Sequence, residues 1–253
     1  MAGSTLASYW RRSRTPRYSL IFAFPLLVLY EVLAFSLSGN SIAGVRNGAD
    51  VMLKSVFIAL GGREGLVLFG ALLVGGGAVL AVRDYRRTRE LDPRVFTWMA
   101  LESICYGLGF GLVVGTITWQ LLPAAASFIV GHPPALTRPA GLSLPTQLMI
   151  SLGAGLYEEL LFRVILVSGL AWIARRAFAW NRAAAGVFAV ILGALIFSAF
   201  HYIGPYADRF EVTSFAFRTT AGLVFSALYL LRGFGITAWT HGLYDVFLAV
   251  GWS

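Results

Sequence analysis

The sequence predicts an all-α polytopic membrane protein, a bundle of about seven transmembrane helices with one short interfacial or re-entrant helix. Hydrophobic residues make up 58% of the 253 residues, and charged residues only 13%, against about 25% charged in ordinary soluble domains. Long apolar runs recur, each near the ~20 residues that cross a bilayer. The bases stand beside these runs, so the net charge of +8 reflects membrane topology and excludes nucleic acid as a partner.

The N-terminal region, residues 1–145, contains about three of the predicted spans. The first apolar run extends from 18 to about 38 and follows four arginines. A secretory signal has an apolar region of only ~7–15 residues, so this run is a retained span. The next apolar piece, 47–60, is too short to cross and predicts the interfacial or re-entrant helix, which ends at Gly61 and Gly62.

The other spans follow from runs of similar length. They are predicted over 64–82, 95–122, 146–174, 183–202, 213–231 and 235–252. A segment with five prolines, 123–145, separates the third span from the fourth and contains His132, to which we assign no role. No internal repeat of span length is apparent in the sequence.

The distribution of bases predicts a cytoplasmic N-terminus in the plasma membrane. The segments on one predicted side hold thirteen bases and those on the other side five, and cytoplasmic loops carry the excess of Lys and Arg in membrane proteins. The predicted cytoplasmic clusters are Arg11 to Arg17, Arg83 to Arg94, Arg175 to Arg182, and Arg232.

The fourth span contains three charged residues, Glu158, Glu159 and Arg163. One charged side chain at the bilayer centre costs at least ~3 kcal/mol, so three within one span indicate function. On an α-helix Glu159 and Arg163 are one turn apart on one face, which predicts an ion pair. Glu158 points about 100° away around the helix and has no partner within the span, which leaves it available for chemistry.

Two histidines occur in the last three spans, each in a motif with four-residue spacing. Phe197 and His201 share one helix face, and His241 shares another with Asp245. A carboxylate one turn from a histidine can orient its ring or bind the same ion. Together with an unpaired intramembrane glutamate, the histidines predict a water-activating centre in a protein cavity.

These motifs together resemble the CPBP family of intramembrane proteases, which includes the type II CAAX prenyl endopeptidases. The resemblance covers roughly 146–250 and predicts a catalytic region over 146–253. The matching motifs, in the family's order, are Glu158-Glu159-x-x-x-Arg163, Phe197-x-x-x-His201 and His241-x-x-x-Asp245.

The resemblance implies that Glu158 and His201 activate water for attack on a peptide carbonyl. It also implies that His241 and residue 245 stabilise the oxyanion or hold a metal. Many family members have Asn at this last position, and Asn can donate a hydrogen bond to an oxyanion. The ionised Asp245 of this sequence can only accept one, which argues against an oxyanion role for it.

The sequence leaves the use of a metal open. Glu158, His201 and His241 could bind zinc, and the same residues could run a metal-free glutamate mechanism. The H-E-x-x-H zinc motif is absent, and Cys105 is the only cysteine, which excludes a thiolate site. Zinc is therefore one of two alternatives.

The predicted function is an intramembrane endopeptidase that acts at the membrane lipid. Its substrate would be a peptide or a lipidated protein, either a prenylated CAAX-type tail or a bacterial peptide. The alternatives are a non-enzymatic immunity or scaffold protein of the same fold, or a proton-coupled carrier that uses the buried charges as a relay.

Overall fold

The computed structural model describes residues 2–38, 45–122, 142–204 and 207–251, and these form helices and connecting turns without a strand. The all-α helical bundle predicted from the sequence is confirmed. The helices are α1 (Ala2–Ser13), α2 (Pro16–Ser38), α3 (Gly48–Gly70), α4 (Gly77–Thr88), α5 (Pro93–Leu121), α6 (Leu144–Gly153), α7 (Ser168–Ala177), α8 (Arg182–Phe200), α9 (Val212–Arg232) and α10 (Phe234–Gly251). The proline-rich segment with His132 lies outside the described residues.

Five helical stretches within the described ranges are long and apolar enough to cross a membrane. They are Pro16–Leu37, Gly48–Thr88, Pro93–Leu121, Arg182–Phe200 and Val212–Arg232. The predicted fourth and seventh spans are also helical. These two spans carry acids and a histidine of the motifs, so their composition is less apolar than that of the other five. The count of seven spans therefore stays a prediction.

The predicted short helix and the span after it are joined at a sharp break. Gly61 and Gly62 have non-helical backbone angles, and Gly62 has a φ of 57°, which favours glycine. Beyond the break the chain resumes as helix and passes through a π-helical turn, Ala71–Gly76, into α4. The rings of Phe57 and Phe69, one on each side of the break, are 5.1 Å apart. The two parts of α3 therefore pack against each other.

The fourth predicted span runs through α6 and α7 with two π-helical segments between them, Ala154–Glu158 and Leu160–Val167. A π-helical turn contains more residues than an α-helical turn, and such turns occur frequently at functional sites. In this span they contain Glu158 and Arg163, and Glu159 lies between them. The span packs against α2, α8 and α10, so the bundle surrounds the motif on several sides.

Ion pairs outside the motif connect the N-terminal helices to each other and to the end of α9. The guanidinium of Arg232, at the end of α9, contacts both carboxylate oxygens of Glu102 in α5, at 2.5 and 2.7 Å. Arg17 at the start of α2 contacts Asp84 in α4 at 2.9 Å. Because Glu102 and Arg232 lie on different helices, their bidentate pair fixes α5 against the end of α9.

Candidate active site

The three charged residues of the fourth span are buried within the bundle. Glu158 is 7% exposed, Glu159 0% and Arg163 1%. A buried charge is tolerated only when it is paired or hydrogen-bonded. The partners of each one therefore show how the site is built.

A close helix crossing brings these acids against α10. A Cβ atom at Gly155 would lie 2.4 Å from the carbonyl oxygen of Ala238 and 2.6 Å from the nitrogen of Gly242. Only glycine fits at such a distance, so the backbones of the two helices touch here. Because Gly155 precedes the acids by one turn and Gly242 follows His241, the crossing places Glu159 beside the His241 ring.

Glu159 has two partners. Its Oε2 lies 3.1 Å from Nε of Arg163, which confirms the predicted pair as an ion contact, although the geometry is not that of a hydrogen bond. Its Oε1 lies 2.7 Å from Nδ1 of His241, a short hydrogen bond that the spacing within the span could not predict. Because a carboxylate only accepts, Nδ1 of His241 carries a proton.

Arg163 is held mainly by its charge and by aromatic faces. Its guanidinium carbon lies 4.5 Å from the ring centre of Phe197 and 5.3 Å from that of Phe225. None of its side-chain nitrogens has a hydrogen-bond acceptor among the described residues. Stacking on aromatic faces suits a guanidinium and is worth up to ~2 kcal/mol when water is excluded.

Glu158 has a partner from the N-terminal region. Its Oε1 accepts a hydrogen bond of 2.9 Å from Nδ2 of Asn47, at the start of α3. Spacing within the fourth span gives Glu158 no partner, because Asn47 lies 111 residues away in the sequence. His201 and His241 both lie within electrostatic range of the Glu158 carboxylate.

His201 follows the last residue of α8, and its ring orientation is set by the main chain. Its Nδ1 lies 2.9 Å from the carbonyl oxygen of Phe197. The carbonyl can only accept, so Nδ1 carries a proton and Nε2 is the acceptor of the neutral ring. The ring centres of Phe197 and His201 are 5.0 Å apart, in agreement with the predicted shared helix face.

His241 is oriented by Glu159 more than by the predicted Asp245. Its Nε2 lies 3.6 Å from Oδ2 of Asp245, which exceeds hydrogen-bond length. The ring also stacks on Phe225, at 4.3 Å between ring centres. A carboxylate on each side and an aromatic face therefore define the position of the imidazole.

The predicted zinc ligands do not form a metal-binding group in the structure. Among the described residues, no three His, Cys, Asp or Glu side chains are placed to hold one ion. The donors also have other partners, since Nδ1 of His241 bonds Glu159 and Oε1 of Glu158 bonds Asn47. The arrangement fits a metal poorly, so we derive no step through one.

A comparison with protein families decides how this constellation is classified. Residues 140–247, which contain all three motifs, match the family described as type II CAAX prenyl endopeptidase Rce1-like. The chain carries an Rce1-like domain. The match confirms the resemblance to the CPBP family, a family of CAAX-type intramembrane proteases.

Residues 140–247 thus match a protease family, and the apolar helices are those of a multi-pass membrane protein. No curated protein and no solved structure matches the chain. The matched region begins after the helices α1 to α5, and Asn47, the residue before α3, precedes it. The partner of Glu158 therefore lies outside the Rce1-like domain.

Proposed function

We propose that the protein is an intramembrane endopeptidase in which Glu158 and His201 activate a water molecule. The observation that supports this most strongly is the buried Glu158 carboxylate, held at one oxygen by Asn47 and within electrostatic range of two histidines. General-base catalysis requires a positioned carboxylate within reach of water. The Rce1-like match supplies the reaction class, hydrolysis of a peptide bond.

The chemistry uses the oxygen of Glu158 that Asn47 does not occupy. The attacking water gives one proton to Oε2 of Glu158, and its second hydrogen is held by Nε2 of His201. The water oxygen bonds to the peptide carbonyl carbon, which becomes tetrahedral. When the carbon–nitrogen bond breaks, the protonated Glu158 returns its proton to the leaving amine.

We assign the developing oxyanion to His241. Its Nδ1 proton is accepted by Glu159, and a second proton on Nε2 would point away from Glu159. A carboxylate lies on each side of the ring, so both ring nitrogens have an acidic neighbour. An imidazolium donor can stabilise negative charge in a water-poor site.

The substrate we propose is a prenylated CAAX-type tail, with an unmodified membrane peptide as the alternative. The test uses purified protein in liposomes with a quenched farnesylated CAAX peptide, the same peptide without the isoprenoid, and an apolar membrane peptide. We expect cleavage of the farnesylated peptide, unchanged by 1,10-phenanthroline. Absence of cleavage of all three by folded protein would refute the proposal.

Replacement of Asp245 by Asn tests the role of this acid. We expect Asp245→Asn to keep activity within about tenfold of the wild type, because the 3.6 Å between Nε2 of His241 and Oδ2 of Asp245 exceeds hydrogen-bond length and Asn keeps the shape of the side chain. We expect Asp245→Leu to be inactive, since it puts an apolar group beside the imidazole. The measurement is kcat/KM on the cleaved peptide.

A metal mechanism predicts the opposite result for the same variant. If Asp245 binds a metal or orients a ligand, Asp245→Asn should lose ~10–100-fold in activity, with recovery on addition of zinc. That outcome would replace the glutamate mechanism with a metalloprotease mechanism.

We also propose that the protein lies in the plasma membrane with its N-terminus in the cytoplasm. Thr88 ends α4 within the basic segment, whereas Thr137 lies in the proline-rich segment outside the described residues. In a Cys105→Ser background, we expect Thr137→Cys to react with an impermeant maleimide on intact cells. Thr88→Cys should react only after permeabilisation, and its labelling from outside would reverse the orientation.

A further inference from the structure

The side chain of Asn47 connects the start of α3 to the Glu158 carboxylate. It is 3% exposed. Its Oδ1 accepts hydrogen bonds from the backbone nitrogens of Ala49 at 2.9 Å and Asp50 at 3.4 Å, and it therefore caps α3. Its Nδ2 donates to Oε1 of Glu158 at 2.9 Å.

The orientation of this amide follows from its partners. A backbone nitrogen of a helix start can only donate, so it requires the amide oxygen, and an ionised carboxylate can only accept, so it requires the amide nitrogen. Both ends of the Asn47 amide are satisfied in one orientation. No other uncharged side chain of similar length provides an acceptor and a donor in this arrangement.

The helix start that Asn47 caps is itself anchored. Asp50, in the first turn of α3, is fully buried and contacts Lys54 at 2.7 Å, Arg46 at 3.4 Å and the hydroxyl of Tyr30 at 2.7 Å. Tyr30 belongs to α2, so this network fixes α3 to α2. It has two acids and two bases once Glu31, 3.0 Å from Lys54, is included, and so carries no net charge.

Asn47 also has little room to move relative to the span that contains Glu158. A Cβ atom at Gly153 would lie 2.8 Å from the Cβ atom of Asn47 and 2.5 Å from the Tyr30 ring. The glycine lets the backbone of α6 approach both residues. The distance between the Asn47 amide and the Glu158 carboxylate is therefore set by packed backbone on both sides.

We propose that Asn47 is a positioning residue for the water-activating Glu158, and that the N-terminal helices thereby complete the active site of the Rce1-like domain. The inference rests on the proposed function. By holding Oε1, the amide fixes the carboxylate rotamer and directs Oε2 toward the water. A donor to a carboxylate also favours its ionised form, which is the form that accepts a proton.

The alternative is that Asn47 serves only as a helix cap, and substitutions separate the two roles. Asp is as good an N-cap residue as Asn and Ser is close to it, so either substitution preserves the cap. Neither donates to Glu158 as Asn does: Asp places a second carboxylate against it, and Ser is too short to reach. A cap-only role predicts normal activity for Asn47→Asp and Asn47→Ser.

Asn181 provides a matched control. It also caps a helix, α8, its Oδ1 accepting from the backbone nitrogen of Ala184 at 2.9 Å, but it is exposed and lies outside the three motifs. Asn181→Asp and Asn181→Ser therefore impose the same change of cap without a change at Glu158.

The first measurement is kcat and KM on the peptide that the wild-type protein cleaves. We expect Asn47→Ser to lower kcat ~10–100-fold with little change in KM, because the defect is one of geometry at the reacting atoms. Asn47→Asp should be at least as impaired, and both Asn181 variants should match the wild type. Wild-type kcat in Asn47→Asp or Asn47→Ser would overturn the positioning role.

The second measurement tests the contact without proteolysis. In a thermal-unfolding cycle, the decrease in Tm caused by Asn47→Ser should be smaller in a Glu158→Ala background, because the hydrogen bond is already absent there. Asn181→Ser should lower Tm equally in both backgrounds. Additive Tm changes for the Asn47 pair would refute the inference even if the protein cleaves peptides.

The two measurements distinguish failure of the inference from failure of the proposed function. In one outcome the Tm changes of Asn47→Ser and Glu158→Ala are non-additive, but folded protein hydrolyses none of the peptides. This outcome would refute the endopeptidase proposal, and the positioning role with it. In the other outcome the Tm changes are again non-additive, and kcat falls in the Asn47 variants but not in the Asn181 variants. This outcome would support the endopeptidase proposal and the positioning role.

Discussion

Glu158→Gln is expected to abolish peptide hydrolysis, with a loss of at least ~100-fold in kcat, while the protein stays folded. A positioned general base contributes ~10²–10⁴ to a rate, and Gln cannot take a proton from water. Gln keeps the length of the side chain and an oxygen that can accept from Asn47, so the packing should survive. The measurement is kcat in liposomes, with Tm as the control for folding.

Glu159→Gln is the matched control because the two acids are adjacent in the sequence. Glu159 accepts from His241 and pairs with Arg163, so its substitution should lower Tm as well as activity. The Arg163 pair alone would predict mainly a folding defect, and the His241 hydrogen bond adds the loss of activity. Glu158→Gln should show the reverse balance, a large loss of kcat with a small change in Tm.

Glu158→Gln also distinguishes an enzyme from a carrier or a scaffold. A proton-coupled carrier predicts peptide-independent proton flux into liposomes that Glu158→Gln removes, and a scaffold predicts neither flux nor cleavage. Wild-type turnover by Glu158→Gln on a verified substrate would show that another residue activates the water.

The helices and the local pairs of the site were predictable because they depend on short-range spacing. Apolar runs predicted the helical stretches, and two glycines predicted the break in α3. The four-residue spacing predicted the Glu159–Arg163 contact and the shared face of Phe197 and His201, since such side chains meet on one helix.

The long-range contacts were not predictable because spacing within one helix does not report how helices pack. Asn47 and Glu158 are 111 residues apart, and Glu159 and His241 are 82 apart. Asn is a preferred residue before the start of a helix, but that preference does not show where the amide nitrogen points. The Gly155 crossing that brings Glu159 to His241 likewise depends on the partner backbone.

The structure brings together two histidines that a residue count along the predicted spans places far apart. Counting ~1.5 Å per residue from the predicted span ends puts His201 and His241 toward opposite faces of the membrane. In the structure, the Phe197 ring centre lies 5.0 Å from that of His201 and 6.3 Å from that of His241. Both histidine rings therefore lie near the Phe197 ring, with His201 after the end of α8 and His241 within α10.

Arg163→Ala is expected to destabilise the protein by about 3–5 kcal/mol, because it leaves the fully buried Glu159 without its cation. The same substitution at Arg175, an exposed arginine in α7, controls for the loss of an arginine from the same span. The measurement is the unfolding free energy in detergent micelles. A change within about 1 kcal/mol for Arg163→Ala would show that Glu159 is stabilised by His241 alone.

The paired replacement of Arg163→Met with Glu159→Leu separates the stability of this pair from its catalytic use. Exchange of a buried ion pair for apolar residues of similar size is often neutral, so the double variant should regain much of the stability lost in Arg163→Ala. It should nevertheless stay inactive, because Leu cannot accept the Nδ1 proton of His241. If the stable double variant cleaves peptide at the wild-type rate, the Glu159–His241 hydrogen bond has no part in the reaction, and the oxyanion assignment to His241 fails with it.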